Sequence, residues 1–387
     1  MTGTLPLEGL TVLSLEQAVA APFATRQLAD LGARVIKVER PGAGDFARGY
    51  DRTVHGESSY FVWLNRGKES VELDIKDPAD RAVLDRVVER ADVLVQNLLP
   101  GAVDRLGLDA ATLRARQPDL VHCSISGYGS SGPYRTKKAY DLLVQCETGV
   151  LATTGTPADP SKVGFSVADI ATGMYAYSGI LAALVQRGIT GQGATLEVAM
   201  IDALGEWMAQ PLNHSVYGGG EPRRTGARHA SISPYGPFLA GDGSRVFLGV
   251  QNDREWAALC RELLGDAALV EDPRFVHNPE RVANDALLAP IIEAALAGLT
   301  ADEVVARLDE IGIACARLRS PAELAAHPQL EARDRWRDVS TPGGTIRAQL
   351  PPVTVQGQEP RMGAVPRLGA HNAAIRAEFG PVTEEER

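Results

Sequence analysis

LTVLSLEQAVAAPFATRQLADLGARVIKVE (Leu10–Glu39) reads as strand, helix, strand. LTVLSL (Leu10–Leu15) is a short apolar run. A helical stretch from about Pro22 to Leu31 stops at Gly32, a usual helix terminator, and RVIKVE (Arg34–Glu39) is a second strand. Two apolar strands joined by a helix make a βαβ unit, which forces parallel pairing. The rhythm continues outward. SVELDI (Ser70–Ile75) alternates sides, and DPADRAVLDRVVERA (Asp77–Ala91) opens on an acidic cap with Pro in the first turn. DVLVQN (Asp92–Asn97) and LVHCSIS (Leu120–Ser126) are further strands. The rhythm argues for an α/β fold with a parallel sheet covered by helices on both faces. Such sheets bind ligands at the carboxyl ends of their strands, so the loops after Leu15, Glu39, Asn97 and Ser126 are the places to search.

A long helical region runs from Tyr140 to about Gly191, broken near Thr153–Ser161, and ATLEVAM (Ala194–Met200) is one more strand. A Gly-, Pro- and Arg-rich stretch, Tyr217–Phe238, reads as a linker or loop. Arg245–Pro321 holds one strand, RVFLGV, and then mostly helices. The tail from about Glu331 contains TIRAQL and a Pro/Gly-rich string.

The chain has 387 residues, 44% hydrophobic and 23% charged, so it is long enough for a large core without disulfide or metal staples. Its net charge of −10 lacks the basic footprint of a nucleic-acid binder. Cys123, Cys146, Cys260 and Cys315 show no C-x-x-C spacing and read as buried small hydrophobes in a reducing cytosol. The histidines form no H-x-x-x-H pair, so no metal site is expected. The N-terminus is unlike a signal peptide, and Met174–Val185 is too short to span a bilayer. A cytoplasmic protein, off the membrane, is expected.

Gly127-Tyr-Gly129-Ser-Ser-Gly132 follows a strand and matches G-x-G-x-x-G, but Pro133 and the basic YRTKK follow where a helix should open. That argues against a dinucleotide site and for a loop whose backbone approaches a ligand. Arg40, Arg66, Lys68, Arg105, Arg135, Lys137 and Lys138 cluster near strand ends of an acidic chain. They either bind a phosphorylated ligand or are solvated surface charge. Asp169 stands alone in the apolar, small-residue run KVGFSVADIATGMYAYSGILAAL. It must either point into a polar cavity or cap a helix. If it opens the helix that follows, the helix terminus keeps it ionised, and an ionised, partly desolvated carboxylate can be a nucleophile; the other reading is a plain N-cap. Gly218-Gly219-Gly220 is a lid or a plain connector.

These strings together resemble the family III CoA-transferases, the CaiB/BaiF family. The resemblance rests on PLEGLTVLSLEQAVAAPFATRQLADLGARVIKVERPGAGD, LNRGKESVELDIKDP, DVLVQNLLPGAVDRLGLD, ISGYGSSGPY, AYDLLVQCETGV, GFSVADIATGMYA and PRLGAHNAAI, in that order. It implies a large doubly wound (Rossmann-like) domain of residues 1–216 and 331–387, linkers and a small α/β domain over 217–330, and an interlocked ring-like homodimer. It implies that Asp169 is the nucleophile, with catalytic parts for Gln17, Tyr140 and Gly218–Gly220. CoA contacts would fall on Ala18, Arg40, Lys68, Asn97, Arg105, Lys137, Lys138 and Met200, with Gln17 matching as well. CoA and acyl-CoA would be substrates, with no tightly bound cofactor. Related racemases carry a histidine where this chain has Tyr140, which favours transfer over racemisation. RRTGARHASISPYGPF is similar to members acting on dicarboxylates, so Arg228 and His229 are expected to hold a distal carboxylate. The expected reaction moves CoA from succinyl-CoA or a similar thioester to a dicarboxylate such as itaconate, mesaconate, citramalate or glutarate, through an aspartyl-CoA intermediate. An acyl-CoA racemase is the alternative, and a non-catalytic CoA-binding dimer a third reading.

Overall fold

The computed structural model describes residues 4–218 and 220–380. A six-stranded sheet has the order β3-β2-β1-β4-β5-β6, every pair parallel. Its strands are β1 (Thr11–Leu15), β2 (Arg34–Glu39), β3 (Lys68–Glu72), β4 (Val93–Gln96), β5 (Val121–Ser126) and β6 (Thr195–Ala199). Leu13 pairs with Ile36 on one side and Leu94 on the other, so strand order reverses across β1 and β4. That reversal opens the crevice in which such sheets take ligands.

Between the strands run α1 (Ala20–Asp30), α2 (Ser59–Leu64), α3 (Pro78–Arg90), α4 (Ala102–Arg105), α5 (Ala110–Arg116), α6 (Asp141–Glu147), α7 (Val150–Thr153) and α8 (Val167–Thr190). Then come α9 (Met200–Trp207) and α10 (Ala209–Tyr217). Asp77 starts α3 as the charge pattern predicts, accepting from the Ala79 and Asp80 N–H groups at 2.9 and 3.1 Å.

Each face of the sheet has its own core. On one face Leu13, Ile36 and Leu94 pack with Leu84 and Val87 of α3. On the other Val12, Val35 and Val93 pack with Ala24 and Leu28 of α1 and Ala176 and Ile180 of α8. Each fully buried Leu, Ile or Val contributes about 1.5–3 kcal/mol. The stretch expected to be too short for a bilayer lies within α8, whose 24 residues are long and apolar enough to cross one by length and composition. In the fold α8 is a core helix, with Ala171, Thr172, Gly173, Ala176 and Ile180 buried. A Cβ on Gly173 would stand 2.6 Å from the Ala20 carbonyl oxygen, so α1 and α8 meet backbone to backbone.

The chain divides into two compact units. The first comprises residues 1–149, 163–209 and 331–387; the second comprises 150–162 and 210–330. The second unit holds the antiparallel sheet β7 (Tyr235–Leu239), β8 (Arg245–Gly249) and β9 (Ala314–Arg317). It also holds α11 (Asp253–Ala258), α12 (Asn278–Ala283), α13 (Asp285–Leu296) and α14 (Ala301–Glu310) around Trp256, Phe275, Leu288 and Leu308. Residues 150–162, expected in the large domain, belong to this unit. The stretch read as a linker or loop, Tyr217–Phe238, runs into β7 from Tyr235. Two short helices follow, α15 (Pro321–Ala325) and α16 (Pro328–Ala332).

The tail returns to the first unit as the hairpin β10 (Trp336–Thr341) and β11 (Gly344–Gln349), then α17 (Asn372–Phe379). The Ser70 N–H donates to His371 Nδ1 at 3.0 Å and the Glu72 N–H to Asn372 Oδ1 at 2.7 Å. The Pro/Gly-rich string thus covers the open edge of β3. The cysteines are not uniformly buried: Cys123 and Cys260 are, whereas Cys315 is half-buried and Cys146 is exposed.

Candidate active site

Two loops meet at the strand reversal. The Gln17 N–H donates to Asn97 Oδ1 at 2.9 Å, and Asn97 Nδ2 returns a bond to the Gln17 carbonyl at 2.8 Å. The loops after β1 and β4 are therefore locked together, with the Gln17 carboxamide making no hydrogen bond among the described residues. Ala18 has φ +62, left-handed for a residue with a side chain. Its N–H donates to Asp45 Oδ1 at 3.1 Å. Asp45 Oδ2 in turn takes the Lys37 ammonium at 2.8 Å.

Lys68 departs from its expected role. Its side chain is inside the protein, donating to Glu16 Oε1 at 2.6 Å, the Pro22 carbonyl at 3.0 Å and Asn65 Oδ1 at 3.1 Å. Glu16 also accepts from the Thr25 hydroxyl at 2.6 Å and pairs with Lys37 at 3.3 Å. Burial pushes Lys68 down, while Glu16 stays below the usual carboxylate range because both lysines offset its burial. Lys68 holds the β1–α1 loop from within and does not face a phosphate. Arg66 is likewise internal, bound to Asp30. Arg40, Arg105 and Lys138 are exposed and make no ion pair among the described residues. They follow β2, β4 and β5, at the carboxyl edge of the sheet. Lys137 is exposed but engaged, paired with Glu147 and lying 4.1 Å from the Tyr134 ring centroid. Met200 is buried at the start of α9.

Asp169 is the third residue of α8, yet it does not cap it. Asp141 does: its Oδ1 accepts from the Ala168 N–H at 2.7 Å and the Asp169 N–H at 3.3 Å. Asp141 Oδ2 accepts from Gln145 Nε2 at 2.6 Å, and Gln145 Oε1 accepts from the Val163 N–H at 3.0 Å. The Asp169 side chain makes no hydrogen bond among the described residues. Burial, then the Asp141 charge, push it up to about 7. The expected effect of the helix terminus is thus reversed: the carboxylate that gains from it is Asp141, and Asp169 is left poorly solvated. An anion short of solvation and of donors is a reactive one.

Tyr140 is exposed, one residue before α6. Tyr50 was not singled out by the sequence. Burial and then Asp45, Asp169 and Tyr140 push its phenol up to about 12, which sets it beside these groups. Its signal in the sequence is slight, an aromatic in the loop after β2. The glycine loop after β5 opens no helix before Asp141, and its Ser130 hydroxyl binds Glu197 Oε2 at 2.8 Å. No dinucleotide cradle forms there.

In the second unit, Arg228 is committed locally. Its guanidinium lies 3.6 Å from Asp285 and 4.9 Å from the Phe238 ring centroid. The His229 ring stacks on Tyr235 at 5.1 Å, and its Nδ1 accepts from the Ser231 N–H at 3.1 Å. Gly218 comes so close to the His214 carbonyl that a Cβ would stand 2.6 Å from it, and Gly220 has φ +145. Gly219 lies outside the described residues.

With this geometry in hand, the relatives are informative. The model of "CoA-transferase family III" matches residues 7–372. An acetyl-CoA:oxalate CoA-transferase of Acetobacter aceti is 38% identical over 97% of this chain and 96% of its own. A succinate–glutarate CoA-transferase of Agrobacterium fabrum is 34% identical over 97% and 96%. The crystal structure of a CaiB/BaiF family protein from Brucella suis superposes with a TM-score of 0.86 at 34% identity, covering 97% of this chain and all of that one.

Proposed function

The chain belongs to CoA-transferase family III, and from that premise we propose that it moves CoA from an acyl-CoA thioester to a dicarboxylate through Asp169. Relatives named for oxalate and glutarate transfer support a dicarboxylate acceptor. The observation that carries the reading is the Asp169 carboxyl, partly buried, free of side-chain hydrogen bonds and pushed up to about 7.

The ionised Asp169 attacks the thioester carbonyl, and the C–S bond breaks to release CoA thiolate and leave a mixed anhydride. The thiolate then attacks the aspartyl carbonyl, freeing the donor carboxylate and leaving an aspartyl-CoA thioester. The acceptor carboxylate repeats the two steps in reverse, and Asp169 regains its charge. One thioester replaces another, so no external energy source enters. Arg40, Arg105 and Lys138 are proposed to hold the CoA phosphates, since they are exposed and make no ion pair among the described residues. Gln17 is proposed to present its free carboxamide to the reacting acyl group. Arg228 and His229 are weaker candidates for the distal carboxylate, because Asp285 and Tyr235 already engage them.

A homodimer is proposed as the working form. Val185 and Ile189 on α8 and Val216 and Tyr217 on α10 leave large apolar side chains exposed, which supports a covering partner.

The test is to incubate the protein with acyl-CoA and hydroxylamine and map the product by mass spectrometry. A hydroxamate on Asp169 is expected. Turnover with Asp169 unmodified overturns the covalent route.

A further inference from the structure

Two guanidinium groups share one carboxylate on the wall of a cavity in the first unit. Arg66 holds Asp30 through Nε to Oδ1 at 2.9 Å and Nη2 to Oδ2 at 2.7 Å. Arg26 reaches the same carboxylate only through Nη1, at 3.4 Å. Arg26 is 8% exposed, and its buried Nε has no acceptor among the described residues. Its guanidinium also lies 5.3 Å from the centroid of the Phe23 ring. Two cations against one anion leave a single positive charge uncompensated in a dehydrated place, a costly arrangement unless an anion joins it.

The adjoining cavity has a volume of about 570 Å³, within the range of small-molecule sites. Besides the two arginines its lining is mostly apolar, with Val62, Trp63, Ile346 and Leu350 among it, and Ser59 and Gln349 add neutral polar groups. Arg347 also lines it, but its charge is matched by Glu331 at 2.9 Å. None of the residues assigned to acyl transfer lines this cavity.

We propose that this cavity binds an amphipathic monocarboxylate, its head on Arg26 and its apolar body against Trp63, Val62, Ile346 and Leu350. One negative charge neutralises the cluster; a dianion such as phosphate would leave a buried excess of charge and no apolar body for Val62, Trp63, Ile346 and Leu350. The site is separate from the one proposed for acyl transfer, and stands or falls independently of it.

Octanoate is the probe, titrated by calorimetry into the full chain and into Arg26→Met, Trp63→Ala and Asp169→Asn variants, each checked for folding by circular dichroism. The expected result is one saturable equivalent per chain in the wild type and in Asp169→Asn. Affinity falls roughly tenfold or more in Arg26→Met, the value of one hydrogen bond to a charged group. Trp63→Ala weakens binding as well, with the charge intact. Acyl-transfer activity of Arg26→Met stays at the wild-type level. Absence of saturable binding to the wild type overturns the proposal, as does unchanged affinity in Arg26→Met. Loss of binding in Asp169→Asn places octanoate at the acyl-transfer site and also overturns it. So does an altered association state of Arg26→Met on sedimentation without octanoate binding to the wild type, which gives the cavity to a second copy.

Discussion

The carboxylate of Asp141 stands at the head of the helix that carries Asp169, 2.7 Å from the Ala168 nitrogen and 3.3 Å from that of Asp169 itself. Two acids at one helix terminus cannot share its benefits equally. Asp141 takes the N–H groups, and its charge joins burial in raising its neighbour.

Replacing Asp169 by Asn or Ala is expected to abolish transfer, by at least about 10³-fold in kcat, while the protein still folds. Steady-state assays on purified variants check this; activity near wild type in either would remove the nucleophile.

The same substitution should stabilise the fold above neutrality. Asp169 is raised from an ordinary value of 3.8 to about 7, so between these values the folded chain holds a proton that the unfolded chain has lost. Stability from this group therefore falls as pH rises through that window, and the penalty is complete above about pH 7. Asp169→Asn at pH 8 should gain about 1–2 kcal/mol, allowing for partial solvent screening. Denaturant titration at pH 5 and pH 8 measures it, and no pH-dependent difference between the proteins would contradict the account.

Transfer by the wild type is expected to rise with pH through about 7 as Asp169 ionises. Asp141→Asn keeps an oxygen for the Ala168 and Asp169 N–H groups but removes the charge, so the inflection should move down. It stays above the ordinary carboxylate value, because burial remains the larger cause. A pH–kcat/KM profile that does not move would show that Asp141 has no electrostatic hold on its neighbour.

Lys68 and Arg40 should behave oppositely. Arg40→Ala is expected to raise KM for acyl-CoA roughly 3- to 10-fold with little change in melting temperature. Lys68→Met leaves Glu16 short of a buried partner and should cost about 3–5 kcal/mol of stability. KM in its folded fraction should change little. A paired thermal melt and saturation curve for each variant separates the two, and a selective KM effect of Lys68→Met would return it to the phosphate site.

Gly173→Ala should push α8 off α1, since its Cβ would meet the Ala20 carbonyl at 2.6 Å and the Phe23 side chain at 2.9 Å. A loss of about 1–3 kcal/mol is expected, with kcat lowered because Asp169 lies one turn away. Melting and kcat together test this; an unperturbed variant would show that the helices separate without cost.

Much of the first unit was legible in the sequence because a parallel sheet covered on both faces writes its strands as apolar runs. RVIKVE is β2 from end to end, and LVHCSIS loses one residue to become β5. Asp169 was legible as a lone carboxylate among small residues. Its electrostatic state was not, because Asp141 lies 28 residues away and only the fold joins them. The inward direction of Lys68 was not legible, because a sequence shows a charge without its direction. The strand begins at Lys68 and not at Ser70, and that register turns the lysine inward to Glu16. The tail gave no periodic signal for β10, and the cover that His371 and Asn372 provide for β3 comes from side chains bonding backbone across some 300 residues.

Among the inward cations of the first unit, Lys37, Lys68 and Arg66 are spent on Glu16, Asp45 and Asp30, whereas Arg40, Arg105 and Lys138 face water without ion pairs among the described residues. A chain of net charge −10 thus keeps three such solvent-facing, unpaired cations in the segments that follow β2, β4 and β5. Long-range attraction would draw a small polyanion to them while the rest of the surface repels nucleic acid. Ionic strength is then expected to govern how often an acyl-CoA reaches the proposed phosphate contacts, and to leave the bond exchange proposed for Asp169 unchanged.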